Sequence, residues 1–211
     1  MDAADLRDLL LGEGISRRIV EAMLTVPRDR FVPREMRVQA WADHAMPIGH
    51  GQTISQPTVV AVMTQAVEVR PGDEALDVGT GSGYQAAVLA ACGARVHSVE
   101  RIPELAERAR GTLADLGYDV RVHLGDGSAG LAEHAPFDAI VVAAATPTVP
   151  TALVEQLRAP TAERRGGRLV LPLGNPSGWS GGQELILLER TDEGLARRKL
   201  LDVVFVPLIR G

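Results

Sequence analysis

Three carboxylates and a run of glycines set the chemistry to look for. Asp77, Glu100 and Asp126 each close a short apolar stretch (EALD, ARVHSVE, VRVHLGD), and Asp77 runs directly into GTGSG, with glycines 79, 81 and 83. A loop of this kind between a strand and a helix brings bare backbone close to a ligand. The spacing disfavours a dinucleotide, whose fingerprint needs Gly or Ala at position 84 for close helix–strand packing, because this chain has Tyr84 there. An acid two residues ahead of the loop suits a ligand that carries a cation rather than a pyrophosphate. Glu100, roughly twenty positions further on, is placed to accept both hydroxyls of a ribose. Asp126, at the end of the next apolar stretch, can accept a hydrogen bond from an adenine amino group. Each acid alone reads equally well as a cap or a solvated strand end. Together they fit S-adenosylmethionine, which carries an ammonium and a sulfonium.

A second stretch, GHGQTISQP at 49–57, holds no acid, no Lys or Arg, and one aliphatic residue, Ile54. No general base stands near the glycine loop, and no G-x-S-x-G elbow or HExxH occurs. Histidines 44, 50, 97, 123 and 134 show no metal-binding spacing, so no metal site is expected. The Asn/Asp-Pro-Pro-aromatic signature of nitrogen methylation in nucleic acids is missing after the fourth strand, where the chain reads AAAT at 143–146. Its one Asn-Pro pair, Asn175 and Pro176, reads as a turn. An acceptor that is already an anion needs no base, and a carboxylate with a pKa near ~4 is such an acceptor. Thr53, Ser55 and the backbone amides around them can hold one by hydrogen bonds. The simpler reading of Ser55 is a cap on the helix that begins near Pro57.

Elements that would position these groups follow from the pattern. An N-terminal cap, residues 1–72, contains two short amphipathic helices broken near Gly12 and Gly14, a stretch punctuated by Pro27, Pro33 and Pro47, and a helix from Thr58 to the PGD turn at 71–73. Residues 73–211 then alternate strand and helix: strands in EALDV, ARVHSVE, VRVHL, the continuous apolar run FDAIVVAAA, and GRLVLPLG. Helices lie between them at 84–93, 102–117 and 146–157, and a terminal antiparallel pair lies in ELILLER and LLDVVFVPL. This is an α/β chain: a doubly wound, Rossmann-like, mostly parallel sheet in one domain of 211 residues. With 3% aromatic residues, aliphatic side chains must form most of the core. A formal charge of −5 weighs against nucleic acid or anionic lipid as a partner. The single cysteine, Cys92, points to a reducing compartment and reads as a small buried hydrophobe. Acids at the N-terminus, and no apolar run of the ~20 residues that a membrane span needs, indicate a cytoplasmic protein. Nothing demands an oligomer, so a monomer is expected.

The blocks PIGHGQTISQP (47–57), LDVGTGSGYQAAVLA (76–90), HSVERIPELAERAR (97–110), GDGSAGLAEHAPFDAIVVAAA (125–145) and FVPL (205–208) resemble the protein-L-isoaspartate O-methyltransferases. The middle blocks are shared by class I methyltransferases generally, whereas GQTISQP and FVPL are specific to this repair family. The resemblance implies methyl transfer from S-adenosylmethionine to the α-carboxylate of L-isoaspartyl residues in damaged proteins and peptides, the ester then collapsing to a succinimide. It implies Ser55 as the active-site serine, with Thr53, Ile54 and Gln56 around the isoaspartyl residue and the Val206 backbone against the substrate chain. The cofactor would lie over Asp77, Gly79, Thr80, Gly81 and Ser82, with Glu100 at the ribose and Asp126 and Gly127 at the adenine. An alternative is a carboxyl methyltransferase for a normal aspartate in a specific peptide. Two departures stand out: a longer, more basic stretch at 158–167 and His50 between Gly49 and Gly51. Trp41 reads as a lid or as a packing residue.

Overall fold

The computed structural model describes residues 1–175 and 182–209. Helices α1 (Ala3–Gly12) and α2 (Arg17–Thr25) form where expected, and Asp2 caps α1 in a reciprocal box with Asp5. Short 3-10 turns at Arg28–Phe31 and Arg34–Gln39 fill the proline-punctuated stretch. The sequence reading did not foresee the antiparallel hairpin that follows, β1 (Met46–Gly49) and β2 (Gln52–Ile54), which turns at His50–Gly51. Helix α3 (Pro57–Val67) begins at once, with Pro57 in the first turn, where a missing N–H costs nothing.

The main sheet is built from β3 (Glu74–Val78), β4 (Arg95–Glu100), β5 (Val120–Leu124), β6 (Ala139–Val142), β7 (Arg168–Leu173), β8 (Gln183–Thr191) and β9 (Gly194–Val203). Helices α4 (Tyr84–Ala91), α5 (Pro103–Asp115) and α6 (Thr151–Glu155) cross between its parallel strands. The order is β5-β4-β3-β6-β7-β8-β9, parallel from β5 to β7 and antiparallel at β8 and β9. The chain enters at β3, winds outward to β5, and returns on the other side of β3 as β6. That reversal leaves a crevice beyond the carboxyl ends of β3 and β6, the place where such sheets bind ligands. All four residues of β6 are buried, which is why the strand reads as an unbroken apolar run. One apolar cluster joins α1, α2, α3 and α4 to one face of the sheet through Leu10, Met23, Met63, Leu89 and Val141. A second, with Leu76, Val99, Phe137, Ile140 and Leu153, covers the other face.

Several expectations need correction or completion. The helix expected over 146–157 is confined to Thr151–Glu155, because Pro147 and Pro150 keep the residues before them out of helical conformation. The strand expected in LLDVVFVPL instead starts at Gly194 and ends at Val203. Its exposed first six residues include Arg197, Arg198 and Lys199, charges suited to a sheet edge but obscuring the apolar pattern. The segment FVPL therefore lies outside the sheet. The basic stretch at 158–167 is tied down by acids: Arg158 and Arg164 pair with Asp138 at 2.6 and 2.9 Å, Arg164 also with Asp73 at 3.1 Å, and Arg165 with Glu68 at 2.7 Å. Trp41 packs against the larger core and Cys92 is buried. Most of the Gly/Ser-rich stretch at 174–183, including Pro176 of the Asn-Pro pair, lies outside the described residues.

Candidate active site

Three adjoining cavities occupy the crevice. The largest, about 550 Å³, is lined by Thr53, Ser55 and Gln56 of the hairpin–helix junction, Ala143 after β6, and Gln183, Phe205 and Val206. A second, about 60 Å³, lies between the junction and the glycine loop, against Gly79, Thr80, Gly81, Ser82 and Tyr84. A third, about 50 Å³, runs on past Gly79 to Glu100 and Gly127 and is covered by Gln52, Pro207, Leu208 and Ile209. Thr53, Ser55, Ala143 and Val206 line both of the first two cavities. Ser55 thus stands where the large cavity meets the glycine loop.

The Ser55 hydroxyl makes no hydrogen bond among the described residues, so the capping role does not hold. Asp43 caps α3 instead, accepting the Thr58 amide at 2.9 Å, the Thr58 hydroxyl at 2.8 Å and the Gln56 side-chain amide at 2.8 Å. The backbone of Ser55 is held from below by Arg28, which is fully buried and donates to the Ser55 carbonyl at 2.6 Å and to the Ala40 carbonyl at 2.8 Å. The Arg28 guanidinium lies 4.7 Å from the centre of the Tyr84 ring. Tyr84 is thereby explained: it occupies the first turn of α4 as the floor beneath Arg28, and burial pushes its phenol up to about 12. Arg108 of α5 pins the hairpin by donating to the Ile48 carbonyl at 2.6 Å. Ile54 points into the core and reaches only the small cavity beneath the loop.

The glycine loop rests on a chain of hydroxyls. Thr80 Oγ1 lies 2.5 Å from Ser98 Oγ, which donates to Asp77 Oδ2 at 2.7 Å. Because Ser98 gives its proton to Asp77, Thr80 is the donor to Ser98. Asp77 is fully buried and lines none of the three cavities, so it lies behind the loop rather than facing a ligand; its Oδ1 has no hydrogen-bond partner. Desolvation raises its pKa to about 7, with the charge of Glu100 adding to the rise and the Ser98 hydrogen bond opposing it. Glu100 accepts the Gly81 amide at 2.7 Å and the Ile102 amide at 2.9 Å, one on each oxygen, which leaves acceptor capacity on both for a diol in the third cavity. Asp126 accepts the Ser128 amide at 2.9 Å and caps the turn Gly127–Ala129, and Gly127 lines the third cavity.

The C-terminal segment closes the site from the far side. Gln183, which is buried, grips Phe205 twice, accepting its amide at 2.6 Å and donating to its carbonyl at 3.1 Å. The Val206 carbonyl is already bonded to the Ala145 amide at 2.8 Å, whereas its N–H makes no hydrogen bond among the described residues. Arg28, Asp43, Ser98 and Gln183 were missed in the sequence because a buried polar residue announces itself only by its neighbours. The structure also gathers His97, His123 and His134, which the spacing kept apart, on the second face of the sheet, away from these cavities.

Comparison with known proteins is consistent with this arrangement. The family model described as protein-L-isoaspartate(D-aspartate) O-methyltransferase matches residues 4–211. A protein-L-isoaspartate O-methyltransferase of Roseiflexus sp. (strain RS-1) is 49% identical over 217 residues, covering 100% of this chain and 95% of that one. A solved protein-L-isoaspartate O-methyltransferase superposes with a TM-score of 0.84 at 28% identity over 98% of this chain and 65% of the other, so about a third of that protein has no counterpart here. A Plasmodium falciparum structure assigned to the same activity, solved with S-adenosyl-L-homocysteine, is 24% identical with a TM-score of 0.83 over the full length of both chains, and bears on the fold alone.

Proposed function

The chain belongs to the protein-L-isoaspartate O-methyltransferase family, an S-adenosylmethionine-dependent group of protein repair enzymes, and from that premise we propose which of its residues do the work. The observation that carries the reading is the placement of Ser55, whose unbonded hydroxyl lines both the large cavity and the cavity under the glycine loop. The large cavity takes the isoaspartyl peptide, and the trough from Gly79 to Gly127 takes the cofactor. The residues fit: a backbone-lined loop at Gly79–Ser82 and a carboxylate at Glu100 with lone pairs to spare, while the buried acid Asp77 supports the loop from behind through Ser98 and Thr80. Thr80 and Ser82 shape the loop, Asp126 holds Gly127 in place, and Gly127 gives the adenine side its flat wall. When bound, S-adenosylmethionine supplies an electrophilic methyl group on a sulfonium.

What the protein adds is alignment and dryness, which together can contribute several kcal/mol. Ser55 donates to one oxygen of the acceptor carboxylate and turns the other toward the glycine loop. A neutral hydroxyl suits this task better than Lys or Arg, because the carboxylate loses charge as it attacks and a full positive charge would hold the ground state too tightly. No proton has to be removed, because the acceptor carboxylate is already ionised at neutral pH. Thr53 and Gln56 border the acceptor, Ile54 anchors the strand beneath them, and the Val206 N–H holds the substrate backbone. The product ester then collapses to succinimide. Residues 1–211 act as one domain, with Thr53, Ser55 and Gln56 from 1–72 and Val206 from 73–211 on the acceptor side, and the glycine loop, Glu100 and Gly127 from 73–211 on the cofactor side. We place the protein in the cytoplasm as a monomer; no helix among the described residues is long and apolar enough to cross a membrane.

The test is methyl transfer from labelled S-adenosylmethionine to two peptides identical except for isoaspartyl or aspartyl at one position. Base-labile label on the isoaspartyl peptide alone is expected. Label on the aspartyl peptide would overturn the assignment in favour of a methyltransferase for ordinary aspartate.

A further inference from the structure

Away from the methyl-transfer site, three ligating side chains meet without a stated purpose. His97 is in β4, His123 in the edge strand β5, and His134 in the 3-10 turn Ala132–His134. In the parallel ladder His97 pairs with Arg121 and Val99 with His123, so His97 and His123 project from the same face one step apart. Their rings stack with centroids 5.3 Å apart, and the ring of His134 closes the triangle at 4.0 Å from His97 and 5.3 Å from His123. His97 Nδ1 lies 3.1 Å from His123 Nε2, and one ring nitrogen from each of the three lies within 4.8 Å of the others. A tetrahedral ion with bonds of about 2.0–2.1 Å holds its nitrogens roughly 3.4 Å apart. One pair already stands near that spacing, and His134, half-buried on its turn, brings a ring nitrogen to within 4.8 Å of both.

We propose that His97, His123 and His134 form a binding site for a zinc-class divalent transition ion, with water as the fourth ligand. Three imidazoles select ions of that class over calcium or magnesium. A cavity of about 370 Å³, lined by His97, His134, Glu74 and Asp119 with Arg95 and Arg121, adjoins the cluster and provides both the water and a route of entry. The two carboxylates offset the two arginines around it. Two nitrogens facing each other at 3.1 Å share one proton, and on metal binding that proton moves to the far nitrogen of its ring so that both lone pairs face the ion. No carboxylate or carbonyl hydrogen-bonds to the rings among the described residues, so the ion lacks the outer support that strengthens tight sites, and micromolar affinity is expected. The bound ion would tie the edge strand β5 and the turn after it to β4.

The experiment uses the full, untagged chain stripped with a chelator and titrated with zinc chloride by calorimetry. One equivalent is expected to bind with micromolar affinity. His123→Ala and His134→Ala are expected to weaken binding by at least about tenfold each, with thermal unfolding in chelator confirming that both variants are folded. Independently of any variant, nitrogen NMR of the wild-type histidine rings should show zinc-dependent shifts at His97, His123 and His134 and none at His44 or His50. Absence of binding, unchanged affinity in both variants, or shifts confined to His44 and His50 would each overturn the site.

Discussion

Arg28→Met removes the support beneath Ser55 while keeping most of the buried volume of the side chain. The native guanidinium makes two charge-assisted hydrogen bonds, at 2.6 Å to the Ser55 carbonyl and 2.8 Å to the Ala40 carbonyl. Such bonds contribute about 1.5–3 kcal/mol each, so together roughly 3–6 kcal/mol is lost. Against this, the variant no longer buries a cation, a cost of several kcal/mol that also lowers the Arg28 pKa through desolvation. The net loss of stability is therefore about 1–3 kcal/mol, which urea unfolding would measure. Activity should suffer more, because the junction carrying Ser55 loses its anchor and a displacement of about 1 Å costs on the order of a hundredfold. In a methyl-ester assay on an isoaspartyl peptide, kcat is expected to fall about 10- to 100-fold. Cofactor affinity should stay within about threefold, since Glu100 and the glycine loop keep their own bonds. Wild-type turnover in a folded Arg28→Met enzyme would refute the reasoning. An equal fall in cofactor affinity and turnover would show instead that Arg28 serves the glycine loop through Tyr84.

Ser55→Ala should lower turnover at least about tenfold with cofactor affinity within about threefold, by the same assay and by calorimetry; unchanged turnover would remove the hydroxyl from the mechanism. Asp77 has a folded pKa of about 7, above its unfolded value of 3.8, so the neutral acid is favoured by folding. Its stabilising contribution is complete below the unfolded pKa and is lost as pH rises through about 7, up to about 4 kcal/mol in all. Asp77→Asn should therefore flatten the fall in stability between those values in cofactor-free protein, as read from urea unfolding at several pH values. A Cβ at Gly127 would lie 2.5 Å from Val78 Cγ1, on a strand with no room to yield, so Gly127→Ala should cost roughly 1–3 kcal/mol and raise the KM for S-adenosylmethionine.

Much of this protein was legible in its residues because the relevant signals are local. Strand and helix alternation from β3 to β7, the glycine loop at the carboxyl end of β3 and the acid closing β4 all lie where periodicity and spacing indicate. The chemistry was partly legible as well: the uncharged run around Ser55 and the missing base together pointed to an acceptor that is already an anion. The elements misjudged were those whose sequence speaks two ways. Charged, exposed residues hid the first half of β9, and the prolines before α6 cut short an otherwise helical pattern.

Tertiary structure alone decided which polar groups meet. That Arg28 lies under Ser55, that Asp43 and not Ser55 caps α3, and that Asp77 is sealed behind the loop depend on contacts across many residues of chain. The same holds for His97 and His123, twenty-six residues apart, which become neighbours only because β4 and β5 pair in a register that sets them on one face. A sequence records the periodicity of each element and the chemistry of each side chain. The pairing of strands and the stacking of helices determine the distances between those side chains, and the energies that make a group a ligand, a cap or an anchor depend on those distances.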